Sequence, residues 1–447
     1  MYVLSRFLRV REKDGLIAIF HELHPDPVYC PVAEWLTFSR DVARPSQLIQ
    51  PLLDRRLLVQ STTEDDAEFT RVEERLVHKL NQPKILYLML AQGCNFACKY
   101  CPIPALAMRY GETLLSPENA RAGLRLWGEH LREAANAHAE SYIIFYGGEP
   151  LLNKPTFVSA LEAIRQLQAS GELPSRTIRL MLTTNGTLLD DDIIRQCHEY
   201  DVIVSVGLDG FQPVSNRLRM YADGRGTFDE TVSSIRRLVS SGIRTFVSAS
   251  MTPENLPELA SFTRFLKDIG VEKFGFNFLK GRALPEFVSE LARAVYERDT
   301  AAALMRSFRE VGETAYEYQL KRKIEAFHSQ DFFPIDCTCY GNQLVIQPDG
   351  QISNCPFFKA ELGQIGDSVG TGFRIAKTPI ISEWRKRSPL FHPAFRESDA
   401  KALCGPGCAW GAHDLSGDIL TPDPAPTAFS KEIFDELIWS EFPSSPK

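Results

Sequence analysis

Between residues 83 and 282 the chain repeats one pattern, which constrains its fold more than any other feature. Short apolar, β-rich runs recur at 84–90, 141–147, 178–184, 202–208, 245–251 and 273–279. Amphipathic segments of helical length separate most of them: Pro117–Ala135, Lys154–Ser170, Asp190–Tyr200, Thr227–Ser241 and Pro257–Ile269. Strand then helix, repeated, builds a parallel sheet, because parallel neighbours need a crossover long enough to hold a helix. The six units are too few for a closed eight-stranded barrel. An α/β fold follows, a partial (β/α)6 barrel, and chemistry in such folds collects at the carboxyl ends of the strands.

Directly after the first run comes Gly93-Cys94-Asn95-Phe96-Ala97-Cys98-Lys99-Tyr100-Cys101, with the spacing C-x3-C-x2-C. Three thiolates on a short loop can hold three irons of a four-iron, four-sulfur cluster, which ordinarily takes four cysteines. One iron is then left open, as catalytic metal sites leave a position open. A zinc site would want a fourth Cys or His close by, and none lies between Cys101 and His130. The triplet resembles that of the radical S-adenosylmethionine (SAM) superfamily. There SAM chelates the open iron and is cleaved to a 5′-deoxyadenosyl radical. The partial barrel is also the fold this resemblance implies.

Further motifs stand at the ends of later runs. Gly147-Gly148-Glu149-Pro150 offers backbone carbonyls and a carboxylate, a set that suits an ammonium group, and the resemblance assigns it the amino group of SAM. Thr183-Thr184-Asn185-Gly186-Thr187 carries short polar side chains suited to a ribose, Thr184 and Asn185 foremost. In Ser205-Val206-Gly207-Leu208-Asp209-Gly210, relatives usually carry Ser or another small polar residue where Gly207 stands. Asp209 is a SAM-site candidate, or a cap on the next turn. Arg219 stands where the resemblance places an arginine that pairs with the SAM carboxylate in a two-bond fork. Arg217 is near, and spacing alone favours Arg219. Tyr100 is read as lining the adenine pocket, or as a packed aromatic.

Cys337, Cys339, Cys355, Cys404 and Cys408 form a second group. Strand-like Tyr340–Ile346 and Gln351–Ser353 flank Pro348-Asp349-Gly350, a hairpin turn. From Cys339 the pattern C-x10-G-x4-C resembles the opening of the SPASM and twitch domains that follow many radical SAM barrels. Full SPASM domains carry two auxiliary clusters. This chain lacks a C-x2-C before Cys404 and a cysteine after Cys408. One auxiliary four-iron cluster is therefore expected on ligands from these five, with Cys339, Cys355 and Cys408 first; a zinc site on four of them is the alternative. Cys30 and Cys197 read as small buried apolar residues. Asp336 is a candidate base or a turn residue, and no catalytic base is assigned.

Residues 1–65 read differently. Tyr2–Val10 and Leu16–Glu22 are strand-like around Lys13-Asp14-Gly15, Val28–Phe38 suggests a third strand, and Ser46 opens a helix over Pro45–Leu53. The order resembles the small winged-helix domain with which peptide-modifying enzymes recognise a leader; a plain N-terminal extension is the alternative. A linker and helix follow at 66–82, the barrel at 83–282, bridging helices at 283–330, and the SPASM/twitch-like domain at 331–447, with a tail helix over Ser430–Phe442.

A net charge of −7 lacks the broad basic face of a non-specific nucleic-acid binder. No apolar run reaches the ~18 residues of a membrane span, and Met1–Arg11 lacks the pattern of a signal peptide. A cytoplasmic protein is expected, whose cysteines bind metal rather than pair. Relatives with a barrel and an auxiliary cluster mostly modify peptides or proteins. The resemblance thus implies oxidative crosslinking (thioether, C–C or C–O) of a ribosomally synthesised precursor peptide with a leader sequence. A flavodoxin or ferredoxin would be the electron donor. Peptide epimerisation and twitch-type dehydrogenation of a small molecule are alternatives. A sulfatase-type formylglycine maturase fits less well, because those relatives carry Asp after the cysteine aligned with Cys355, where this chain has Pro356.

Overall fold

The computed structural model describes residues 2–103, 113–134, 140–174, 178–311, 318–330, 337–358 and 362–440. Asp336 and the tail beyond Ser440 lie outside the described residues. β1 (Val3–Leu4) does not continue into β2 (Leu8–Lys13), as the run Tyr2–Val10 suggested. The chain turns between them, where the Asp65 carboxylate accepts from the Ser5 hydroxyl at 2.7 Å and the Arg6 amide at 2.9 Å. β2 pairs with β3 (Leu16–His21) across a turn in which Asp14 and Gly15 both have positive φ, 51° and 80°, the twist a two-residue hairpin loop needs. β4 (Val28–Pro31) adds to β3, and β5 (Leu58–Val59) pairs with β1.

The run Val28–Phe38 divides at Pro31, which has no N–H for a ladder. Beyond it the helix Val32–Arg40 buries Trp35 and Phe38 from one face. β3 is buried on both sides. Ile17 and Ile19 join a small core with Trp35, Phe38 and Leu52. Ala18 and Phe20 join the main core, where Phe20 meets Phe434 edge to face at 5.5 Å.

The repeat yields six parallel strands: β6 (Ile85–Ala91), β7 (Ser141–Gly147), β8 (Ile178–Thr184), β9 (Val202–Gly207), β10 (Thr245–Ser250) and β11 (Lys273–Asn277). They lie in sequential order in the sheet. The chain therefore winds one way, as a barrel wall does, without the reversal of a doubly wound sheet. Helices Pro117–Glu133, Lys154–Ala169, Asp191–Glu199, Phe228–Ser240 and Leu259–Asp268 make the crossovers. Side-chain caps start two of them: Ser116 accepts from the Asn119 amide, and Asp190 from that of Ile193.

The expected C-terminal hairpin is present as β12 (Gln343–Ile346) and β13 (Ile352–Ser353), turning at Gly350 with φ 80°. It is not set apart from the barrel. β12 lies parallel on the outer edge of β6, Gln343 opposite Ile85 through Ile346 opposite Leu88, so the sheet has eight strands. Gly123 lets the first crossover helix cover this junction, since a Cβ there would stand 2.7 Å from Ile346 Cγ1. Helices Ala283–Phe287, Glu290–Val311 and Tyr318–Ser329 follow the barrel, and Pro424–Ser440 closes the chain. No helix among the described residues is long and apolar enough to cross a membrane.

Candidate active site

The thiol loop leaves the end of β6 and is held by backbone contacts that only glycine permits. A Cβ on Gly147, whose φ is 143°, would stand 2.3 Å from the Ala91 carbonyl oxygen; one on Gly148 would stand 2.1 Å from that of Gly93. The amides of Gly148 and Glu149 donate to these carbonyls, both at 2.9 Å. Asn95, within the loop, accepts from Asn185 Nδ2 at 2.7 Å and donates to Thr187 Oγ1 at 3.0 Å. The sequence motifs after β7 and β8 thus meet around the loop.

Glu149 is fully buried, and burial pushes its carboxyl upward. Its oxygens accept from the Leu151 amide at 3.0 Å, the Thr184 hydroxyl at 2.7 Å and the Asn185 amide at 2.8 Å. This carboxylate joins the ends of β7 and β8, and Gly147 and Gly148 are the motif residues that line the cavity. Pro150 opens the turn Pro150–Asn153. On the β9 side, Asp209 is fully buried and accepts from the Ser250 amide at 2.8 Å and from the Tyr100 hydroxyl. Arg219 donates to Tyr100 Oη at 2.7 Å and stands 3.7 Å from Asp209. Its Nε is buried with no hydrogen-bond partner. Arg217 points elsewhere, to Glu254 at 2.9 Å. Gly207 makes room for Arg219: a Cβ there would stand 2.4 Å from Nη2 and 2.7 Å from both Cζ and Nη1.

These groups surround a cavity of about 230 Å³. Cys94, Cys98 and Cys101 line it together, with Tyr100, Thr184, Asn185 and Arg219. Burial first, and neighbouring thiols among the lesser causes, pushes Cys94 up to about 11 and Cys101 up to about 12, while burial and then the Asp209 carboxylate raise Cys98. Three thiols and the Arg219 side chain lining one space fit a thiolate-held cluster with a carboxylate-bearing ligand.

The far wall comes from the C-terminal region. Phe357 and Trp410, each two residues past a cysteine, line the same cavity with ring centroids 5.4 Å apart. Behind them Cys337, Cys339, Cys355 and Cys408 converge closely enough to affect one another's ionisation. Cys337 and Cys339 Sγ stand 3.0 Å apart and share a hydrogen bond, which lowers Cys337, while burial first and then this bond raise Cys339. Cys404 Sγ donates instead to the Thr427 carbonyl at 3.4 Å. The loop bearing Cys404 and Cys408 is held by Arg387, fully buried, which donates to the carbonyls of Pro406 at 2.7 Å and Thr421 at 2.9 Å. Among the described residues no three His, Cys, Asp or Glu side chains form a group suited to a single metal ion. Cys30 and Cys197 are buried.

Sequence reading passed over Tyr146, Lys280, Phe357, Trp410 and Arg387. Tyr146 and Lys280 were within reach of the strand-end rule, one before Gly147 and the other just past β11. Nothing local marks Phe357, Trp410 or Arg387, since tertiary folding alone brings them here.

A parallel barrel wall with a three-thiol loop after its first strand defines a class. Residues 88–266 match the model of the radical SAM superfamily, and the chain carries a radical SAM domain. An uncharacterized protein of Methanocaldococcus jannaschii is 27% identical over 197 residues, 44% of this chain and 63% of that protein. This chain thus matches less than two-thirds of that relative's length. The radical SAM cyclopropyl synthase TigE of Paramaledivibacter caminithermalis is 21% identical over 406 residues, 82% of each chain. In fold the chain is similar to native anSMEcpe with bound AdoMet and Cp18Cys peptide, with a TM-score of 0.63 at 20% identity over 80% of this chain and 97% of that one. It is also similar to Streptococcus suis SuiB bound to precursor peptide SuiA, with a TM-score of 0.50 at 12% identity over 95% and 99%.

Proposed function

We propose that this protein is a SAM-dependent oxidase that crosslinks a ribosomally synthesised precursor peptide in the cytoplasm. The observation that carries this reading is the shared cavity. Its walls hold both the three thiols of the 94–101 loop and the aromatic residues two places past Cys355 and Cys408. A substrate standing there touches the shells of both thiol groups.

In this reading Cys94, Cys98 and Cys101 would hold a four-iron cluster, and the Arg219 guanidinium would pair with the SAM carboxylate. The backbone at Gly147 and Gly148 receives the amino group, with Glu149 and Pro150 shaping the segment. Asn185 and Thr184 edge the ribose side, and Tyr100 with Asp209 steadies Arg219. When bound, the cluster and SAM supply a 5′-deoxyadenosyl radical that abstracts a hydrogen atom from an unactivated carbon. Phe278, Phe357 and Trp410 keep water from that space. Cys337, Cys339, Cys355 and Cys408 would hold an auxiliary four-iron cluster, which would supply an acceptor for one electron.

Residues 1–65 would bind the leader, with β2 at an edge of its sheet. A flavodoxin or ferredoxin would supply the reducing electron. Peptides bound to the two structures of similar fold support a peptide substrate.

The test compares the anaerobically reconstituted wild type with a variant carrying Cys94→Ala, Cys98→Ala and Cys101→Ala. About eight irons should fall to about four, as two four-iron clusters require, and 5′-deoxyadenosine formation should cease. A variant that still makes 5′-deoxyadenosine overturns the reading.

A further inference from the structure

Lys280 has no part in the chemistry above, yet it lines the cavity and packs near the second thiol group. It follows the end of β11 and lines the cavity beside Phe357 and Trp410. Its ammonium forms no hydrogen bond or ion pair among the described residues. Its stem packs on Gly411, where a Cβ would stand 3.4 Å from Lys280 Cβ, 3.2 Å from the Gly281 amide nitrogen and 3.1 Å from Asp423 Oδ2. The Gly411 amide donates to Cys408 Sγ at 3.4 Å. Lys280 is therefore held one residue's width from a thiol of the second group. The other acid near this turn, Asp414, is engaged with the Arg282 amide at 2.8 Å.

We propose that Lys280 is a positioning residue that sets the electron affinity of the C-terminal iron–sulfur cluster. The inference rests on the reading of Cys337, Cys339, Cys355 and Cys408 as cluster ligands. A cluster that takes up one electron gains one unit of negative charge. An ammonium on a side chain packed beside Cys408 favours that reduced form, and net charge near a cluster is one of the terms that set its potential. Cys339 and Cys355 are buried, so the attraction is stronger there than in water. Lys280 also borders the cavity, so its charge stands on the side from which the electron arrives.

The experiment uses the variant with Cys94, Cys98 and Cys101 changed to Ala, so that the C-terminal cluster alone reports. Its midpoint potential is measured by anaerobic titration with dithionite and mediators, followed by electron paramagnetic resonance. Iron content is measured separately. Added to this background, Lys280→Gln should shift the potential downward, and Lys280→Arg, which keeps the charge, should bring it back. Equal potentials for the parent and Lys280→Gln overturn the proposal. Lys280→Met repeats the comparison with the apolar stem retained. If both neutral variants shed iron while Lys280→Arg retains it, the charge holds the cluster in place and a potential-setting role is overturned. A parent without iron removes the cluster reading itself, and the iron count reveals this before any potential is read.

Discussion

Gly207→Ala tests whether the space above β9 is reserved for Arg219. The added Cβ would stand 2.4 Å from Nη2 and 2.7 Å from Cζ and Nη1, closer than non-bonded atoms approach. The colliding group is the far end of a flexible side chain, so the guanidinium moves and the strand stays. The cost falls on the site. Arg219 loses its 2.7 Å bond to Tyr100 and the direction of its unpartnered Nε. A hydrogen bond to a charged group contributes about 1.5–3 kcal/mol. If that interaction is what SAM gains from Arg219, its affinity falls about 10- to 150-fold. Calorimetric titration of SAM into anaerobically reconstituted protein reads this directly, with iron content and melting temperature near those of wild type. Arg219→Ala should weaken SAM similarly, and adding Gly207→Ala to it should cost little more, since the two changes remove one interaction. Unchanged SAM affinity in Gly207→Ala would refute the reasoning, and so would full additivity of the two losses.

Two further outcomes follow from the same geometry. Cys404→Ala should keep the auxiliary iron, because its thiol faces the Thr427 carbonyl, whereas Cys355→Ala should lose it; iron analysis of each in the three-alanine background decides. Wild-type stability should fall as pH drops from about 6.5 toward about 4, because burial holds His130 down to about 4. Folded His130 donates from Nδ1 to the Leu126 carbonyl and accepts at Nε2 from the Ile375 amide, so it stays neutral while the unfolded chain takes up a proton. The full loss is about 3 kcal/mol. Melting temperature against pH should therefore be flatter for His130→Gln, and parallel curves would refute the assignment.

The six-strand wall was legible because a strand buried on both faces reads as an apolar run, and each crossover helix has an amphipathic period. The thiol triplet was legible because its cysteines share one loop. The glycines after β7 were recognised as a motif, but what they do was not: they admit the carbonyls of Ala91 and Gly93, a contact between strands that local sequence does not encode. Glu149 looked like a ligand to an ammonium group, and tertiary structure directs its oxygens to Thr184, Asn185 and Leu151.

Local sequence also determined the hairpin at Gly350 and the placement of the cysteines at loops and turns, since turn chemistry and spacing act over a few residues. Tertiary structure decided that β12 extends the barrel sheet, that Arg219 rather than Arg217 enters the cavity, and that Phe357, Trp410 and Lys280 share it with Cys94, Cys98 and Cys101. Those outcomes depend on which edges and faces are left to be covered once the wall has formed. Such long-range burial leaves no periodic trace in the chain.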